Sequence, residues 1–256
     1  MGAGLSAAPN PVPTLFGISD NIYSTDMRTR NLLCLSALVA AMVSLSACDG
    51  MFSGIYDDAE EEETSSTTTS SGYGFVSYTD YGDYEEGTIY IVTTDYYLWT
   101  YLNFHTHEID SLIIDLDLDD PLADEPTDWD IAVHRWDART NGGSALETGY
   151  TGFSALISDG MPSGTFVEDE PSQISVDMSQ MMSGIIGYLD CDVNLELSKW
   201  IDVDTSGMPP TYTLSNRVYL VHLTDDTYIA LKLSDYMNSS GTKGYLTIDY
   251  IYPIDL

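Results

Sequence analysis

Downstream of residue 88, the chain is a succession of short segments with strand-like patterns that are separated by turn residues. The clearest is DWDIAVHRWDARTNGG, residues 128–143, in which Trp129, Ile131 and Val133 alternate with polar or small neighbours. A period of two places one set of side chains on one face of a β-strand. Asn141-Gly142-Gly143 then tolerates the positive φ of a turn. The pattern predicts a strand over residues 129–136 with one face against a core.

Composition supports the same structural class along the rest of the chain. Nineteen Tyr, with many Thr, Ile and Val, favour strands over helices, and the sequence has no convincing amphipathic helix or internal repeat. We expect an all-β fold, an antiparallel sandwich or open-barrel-like single domain. The further strands are predicted at residues 88–94, 96–104, 109–118, 173–178, 197–203, 217–223, 228–233 and 245–252.

The N-terminal quarter has the composition of an export segment. Residues 1–26 carry no periodic apolar pattern, so they are interpreted as an extension from an upstream start, with Met27 as the true start. Residues 27–47 combine a basic beginning with an apolar run and end in Leu-Ser-Ala before Cys48. This predicts a signal peptide with a lipobox, cleavage before Cys48 and lipidation of its thiol. An uncleaved anchor is the alternative, which the shortness of the apolar run disfavours.

A tether and one folded domain are expected after Cys48. Residues 48–71 are acidic and rich in Ser and Thr, which predicts a flexible stalk, and residues 72–256 form the domain. The acidic residues near Cys48 resemble a surface-export signal of bacterial lipoproteins, although a simple spacer explains them equally well. Cys34 lies in the signal peptide, so Cys191 has no partner for an internal disulfide.

The charge and the motifs exclude several functions. A formal net charge of −33 argues against nucleic-acid binding and against docking on anionic lipid. No nucleophile, zinc or phosphate-loop motif occurs, so an enzyme is not expected. Two acidic groups, Asp115, Asp117, Asp119 and Asp120 or Asp190 and Asp192, offer calcium ligands. The first group alternates along a predicted strand and lacks an EF-hand turn, so a solvated acidic face is the favoured interpretation.

Three segments resemble one family in the correct order. DWDIAVHRWDARTNGG is similar to the WD-x-A-x-HR-[YW]-D-x-R-x-N signature of the HmuY-type haem-binding lipoproteins of Gram-negative bacteria. PTYTLSNRVYLVHLTDDTYIALKLSD, residues 210–235, resembles that family's PTY-x-LSNRV block, and GYLTIDYIYP, residues 244–253, its closing strand. With a weaker match at residues 96–104, the resemblance covers residues 73–256.

The resemblance implies haem ligands in two loops, but the ligand type differs here. In the family's type member two histidines bind the iron, and Thr205 stands where the second one would be. Other members use two methionines, which points to Met208 together with Met181 or Met182, and leaves Met178 open. A thioether is a soft ligand suited to haem iron. The alternative is that these methionines only fill gaps in the packing.

Other residues receive weaker expectations. His134 and His222 lie within predicted strands and are interpreted as structural, whereas His105 and His107 form a weak metal pair on one strand face. Arg135, Arg139, Lys199 and Arg217 are the candidate partners of the haem propionates, and the alternative is that the propionates face solvent.

Taken together, the resemblance implies an outer-membrane lipoprotein, anchored only through Cys48, that binds haem for iron acquisition and passes it to a TonB-dependent haem receptor. The alternative is a surface adhesion or scaffold domain that kept the fold and lost the ligands.

Overall fold

The computed structural model describes residues 66–256, which are almost entirely strands and turns. The strands are β1 (Ser66–Ser71), β2 (Gly74–Asp80), β3 (Glu85–Val92), β4 (Leu98–Asn103), β5 (Glu108–Ile113), β6 (Ile131–His134), β7 (Asp137–Thr140), β8 (Ser144–Glu147), β9 (Val167–Glu168), β10 (Glu170–Asp177), β11 (Gly187–Val193), β12 (Ile201–Asp204), β13 (Thr211–Leu214), β14 (Tyr219–His222), β15 (Tyr228–Met237) and β16 (Lys243–Tyr252). One α-helix, α1 (Phe153–Asp159), and two 3₁₀ helices, Met181–Ser183 and Leu197–Trp200, complete the described elements.

The strands form two main sheets and two hairpins. The large sheet has eight strands in the order β1-β2-β3-β16-β15-β14-β8-β9, and the small sheet has four in the order β5-β4-β6-β7. Strands β10 and β11 form one separate hairpin, and β12 and β13 form the other. Every pairing is antiparallel. The all-β antiparallel prediction is therefore confirmed.

The two main sheets are buried on both faces over much of their area. Along β4, Leu102 packs into the core between the sheets, while its neighbour Tyr101 packs on the opposite face against the β10–β11 hairpin. In the large sheet, Val221 faces the central core and Leu220 faces the cluster around Leu156 of α1. Because successive side chains point to opposite faces, strands in this position need apolar residues at nearly every position.

Several predicted elements differ from the observed ones. The predicted strand 129–136 ends at His134, because the chain reverses at Arg135, whose φ is 55°, and returns as β7. The predicted strand 109–118 ends at Ile113. Beyond it, the Asp115 side chain accepts the backbone N–H of Asp117 at 3.0 Å, which makes a turn. The prediction that Asp115, Asp117 and Asp119 alternate along a strand is therefore wrong, because all three lie beyond the end of β5.

Two further differences concern helices and edges. Residues 197–200 of the predicted strand 197–203 form a 3₁₀ helix, which begins where Asn194 Oδ1 accepts the Leu197 N–H at 2.8 Å. Helix α1 was not expected, because seven residues are too few to establish a helical period. Strand β1 lies inside the predicted tether. The last six residues of that tether, 66–71, pair with β2 instead of forming a flexible stalk.

Other expectations lie outside the described residues. These are the extension 1–26, the signal peptide 27–47, Cys48 and the tether up to residue 65. Within residues 66–256, no helix is long and apolar enough to span a membrane.

Candidate functional site

Two loops with similar local sequences stand at the tips of the two separate hairpins. Residues 178–186 join β10 to β11, and residues 205–210 join β12 to β13. An Asp ends the strand before each loop, and its side chain accepts the backbone N–H two residues ahead, Asp177 from Ser179 and Asp204 from Ser206, both at 2.8 Å. Hydrogen bonds from the backbone and side chain of Ser179 lower the pKa of Asp177, and those from the side chain and backbone of Ser206 lower the pKa of Asp204. The Asp-x-Ser pattern thus opens both loops with the same turn.

The two loops border one cavity of about 520 Å³. Aromatic and aliphatic side chains form most of its wall, namely Tyr96, Trp136, Ile186, Tyr188, Val203 and Tyr212. Trp136 and Tyr212 meet edge to face at 5.4 Å between ring centroids. A concave site of this size with aromatic walls is typical of a small-molecule or cofactor site. By contrast, a cavity of about 460 Å³ on the outer face of the large sheet carries mainly hydroxyl and carboxylate groups, such as Ser77, Thr88 and Asp249.

The turn between β6 and β7 forms another part of the wall. Arg135 adopts φ 55°, a conformation that costs a non-glycine residue about 1 kcal/mol or more, and its neighbours hold it there. Its carbonyl accepts the Thr93 hydroxyl and its guanidinium donates to the Thr93 carbonyl, each at 2.7 Å. The guanidinium carbon lies 4.3 Å from the Tyr96 ring centroid and 4.9 Å from that of Trp136. Burial raises the pKa of Tyr212 nearby, and the Arg135 charge opposes that shift.

Of the four methionines that the sequence offers as ligand candidates, three line the cavity and one does not. Met208 lines the cavity from one loop, and Met178 and Met181 line it from the other. Met208 is 75% exposed and Met181 is 38% exposed, although methionine usually fills a core. Met182 is 88% exposed and does not line the cavity. Thr205, at the position of the family's histidine, also lies on the wall.

The histidines lie elsewhere or are already engaged. His134 borders the cavity, but it is buried and its Nε2 lies 2.8 Å from the Tyr96 carbonyl. The prediction that His105 and His107 share a strand face is wrong, because both lie in the turn between β4 and β5 and reach different partners. His105 Nδ1 contacts the Tyr252 hydroxyl at 2.7 Å, and His107 Nε2 contacts Glu85 at 2.8 Å.

The acidic clusters are the other metal-site candidates from the sequence. Within residues 66–256, no group of three or more His, Cys, Asp or Glu side chains is arranged to hold a metal ion.

The Cys191 thiol is half-buried, and burial raises its pKa to about 11, so it is a poor nucleophile at neutral pH.

Of the four cations expected to meet propionates, only Arg135 lies at the cavity. Arg139 is buried on the far face of the small sheet, where it pairs with Glu125 and stacks on Trp99. Lys199 pairs with Glu196 at 2.6 Å, and Arg217 lies 3.8 Å from Glu147. The sequence could not separate Arg135 from Arg139, because the strand predicted over residues 129–136 missed the reversal at Arg135 and the return strand β7 that carries Arg139.

Sequence reasoning also missed the aromatic wall and one cation. Tyr212 and Trp136 stand inside the matched motifs, PTY and HRW, but nothing in their spacing marked them as neighbours. Lys243 was not singled out, although its Nζ lies 3.7 Å from the Tyr212 ring centroid. Lys243 begins β16, and only the tertiary structure brings it next to Tyr212 of β13.

Comparisons with known proteins give the relationship. The family model described as HmuY protein matches residues 95–250, which is more than half of the chain. The chain belongs to the HmuY family. The match spans both methionine-bearing loops and the whole cavity wall, whereas β1, β2 and β3 precede it.

Several solved structures are similar to this chain over nearly their own whole length. A protein from Bacteroides vulgatus assigned as HmuY-like and haem-binding has 55% identity, covers 67% of this chain and 93% of its own, and gives a TM-score of 0.61. A protein from Bacteroides fragilis assigned as a lipoprotein has 48% identity, with 69% and 94% coverage and a TM-score of 0.64. The apo HmuY analogue of Tannerella forsythia has 26% identity, with 67% and 97% coverage and a TM-score of 0.57. No curated protein matches the chain.

Proposed function

We propose that this protein binds haem in the cavity between the two methionine-bearing loops. The observation that carries the proposal is the convergence of Met208 from one loop and Met181 from the other on a single aromatic-walled cavity. Exposed methionines in polar loops contribute little to core packing, which is the usual role of this residue, but their thioethers suit axial ligation of haem iron. Membership of the family and the haem-binding assignment of its Bacteroides vulgatus relative support the same conclusion.

Met208 and Met181 are proposed as the iron ligands, with Met178 as part of the wall. A thioether is neutral and soft, so a pair of them favours ferrous over ferric iron relative to two imidazoles. The aromatic wall contributes by removing the porphyrin faces from water. Binding of this kind breaks no covalent bond in the ligand, which agrees with a binding protein and not an enzyme.

The proposed setting is the outer membrane. The lipobox-like sequence before Cys48 supports lipidation there, and the lipoprotein assignment of the Bacteroides fragilis relative agrees with it. We further propose that the protein passes haem to a TonB-dependent outer-membrane receptor as part of iron acquisition. Release is feasible, because both proposed ligands are partly exposed and accessible to a partner that offers better ones.

Haem titration followed in the Soret band tests the proposal. The purified protein is titrated with haem, first oxidised and then reduced with dithionite. We expect saturable one-to-one binding that is stronger after reduction. Met208→Ala and Met181→Ala should each weaken binding about tenfold or more and change the spectrum, because an axial ligand is lost.

Met182→Ala is the matched control, since it removes an adjacent methionine that does not line the cavity. It should bind as the unaltered protein does. If Met182→Ala has the larger effect, the ligand assignment is wrong but the function stands. Absence of a saturable change in either redox state would instead favour the scaffold alternative, which should still retain a protein partner in a pull-down from outer membranes.

A further inference from the structure

The distribution of ion pairs marks one end of the cavity as unusual. Six basic residues follow Cys48, and all lie in the part of the chain that the structure describes. Arg139, Lys199 and Arg217 each have a carboxylate within 4 Å. Among the described residues, Arg135, Lys243 and Lys232 have none. In a chain with 41 acidic residues, a cation without a carboxylate partner is unexpected.

Two of these three cations lie together. Lys243 Nζ lies over the Tyr212 ring and donates to the Pro210 carbonyl at 3.0 Å. Tyr212 and Pro210 both line the cavity. Arg135 belongs to the wall itself. The next residue after Lys243 connects them, because a Cβ on Gly244 would lie 3.2 Å from Arg135 Nη1. Arg135 therefore lies on the cavity wall, and Lys243 lies directly next to two other wall residues, Pro210 and Tyr212. We refer to Arg135 and Lys243 together as the cationic end of the cavity.

Some hydrogen-bond donors of Arg135 and Lys243 have no partner among the described residues. Arg135 is only 8% exposed, and its Nε has no hydrogen-bond partner among the described residues. A buried donor without a partner destabilises the folded protein, and a ligand that supplies an acceptor removes that penalty. Lys243 uses one of its three donors on Pro210, so two remain. Of the described wall residues, Asp137 alone carries a carboxylate, and it faces His134 Nδ1 at 3.8 Å.

We infer that the cationic end selects the ligand by its carboxylates. Resting on the proposed function, this means that the haem propionates lie toward Lys243 and Arg135 and that the site prefers porphyrins with free acid groups. The preference follows from charge: a carboxylate gains charge-assisted hydrogen bonds there, whereas an ester brings only an acceptor of lower charge. Lys243 thereby sets ligand specificity without contacting the iron.

The test compares haem with its dimethyl ester, which keeps the iron and the ring but removes both propionate charges. Both are titrated into the full protein in the same co-solvent, and the dissociation constant is read from quenching of tryptophan fluorescence and from the Soret band. The variant is Lys243→Gln. The matched control is Lys232→Gln, which removes the same charge from a lysine that donates to Thr151 outside the cavity.

Lys243→Gln should weaken binding of free-acid haem about tenfold, and Lys232→Gln by less than about twofold. The unaltered protein should bind the ester more weakly than the free acid, and Lys243→Gln should weaken ester binding no further. The Soret maximum should stay unchanged in the variant, since the iron ligands are intact.

Two results would overturn the inference while the proposed function stands. One is a Lys243→Gln variant that binds free-acid haem as tightly as the unaltered protein. The other is an equal loss for acid and ester, which would mean that Lys243 acts by packing against Tyr212. If the unaltered protein binds neither porphyrin, the proposed function fails and the inference fails with it.

Discussion

At the scale of single residues, neighbours with the same chemistry have different environments. Met181 lines the cavity while Met182 points away, and Arg135 lines it while Arg139 is buried on the other side of the small sheet. The sequence motifs contain all four residues but do not rank them. Local backbone geometry decides, through the 3₁₀ helix at Met181 and the reversal of the chain at Arg135.

Asp169 illustrates a residue whose role is purely structural. Its carboxylate accepts the Thr140 N–H at 2.7 Å, the Thr140 hydroxyl at 2.9 Å and the Asn194 side-chain amide at 2.9 Å. Burial raises the pKa of Asp169, and these hydrogen bonds oppose the shift. The side chain therefore satisfies donors along the edge of β7 that no further strand covers in the described structure.

Asp169→Ala should lower the free energy of unfolding by about 2–3 kcal/mol, because it leaves several part-buried donors without an acceptor. Urea denaturation followed by tryptophan fluorescence measures the change. Asp190→Ala, which removes an exposed carboxylate, should change it by no more than about 0.5 kcal/mol. Equal effects of the two substitutions would contradict a structural role for Asp169.

At the scale of elements, burial on both faces explains which strands the sequence revealed. Strand β4 is buried at all six positions and β6 at all four, so their apolar character was evident. Strand β1, with the sequence STTTSS, is exposed at every position and resembles a linker in composition. Its assignment to the sheet depends on backbone pairing with β2, which leaves no hydrophobic pattern.

Removal of β1 should affect association more than stability. A chain that starts at Gly72 should lose about 1 kcal/mol or less, because β1 buries no core residue, but it would expose β2 as a new edge. We expect self-association in analytical ultracentrifugation that the longer chain does not show. Adding Ser77→Lys, a charge on the new edge, should restore the monomer. A truncated chain that stays monomeric would contradict this view of β1.

At the scale of the whole molecule, the net charge and the predicted signal peptide bear on the proposed location at the outer membrane. A net charge of −33 disfavours direct adsorption to anionic lipid, so membrane association should depend on the predicted lipid at Cys48. The cavity would then be presented by a domain that the tether holds away from the membrane. Because acidic residues outnumber basic ones 41 to eight, two neighbouring cations at the cavity differ in charge from most of the chain.

Cys48→Ala should release the protein from the membrane fraction, because it removes the site of acylation. Fractionation with immunoblotting measures this, and intact mass of the unaltered protein should show a lipidated species that begins at Cys48. Treatment of intact cells with protease should remove the domain if it faces outward. A membrane-bound Cys48→Ala protein that retains residues 32–45 would contradict the lipoprotein proposal.

The sequence by itself determined the all-β class, the family and the two loops that carry the candidate ligands. Six of its nine predicted strands lie within a few residues of observed ones, although the described structure has sixteen strands. These properties follow from short-range patterns: alternation of apolar residues, turn residues and motif order. The tertiary structure decided which methionines share a cavity, which arginine lines it and that Lys243 completes its cationic end. Those facts depend on contacts between strands far apart in the chain, such as Lys243 with Tyr212, and on turns whose direction one residue sets. Short-range patterns in a single sequence do not contain that information.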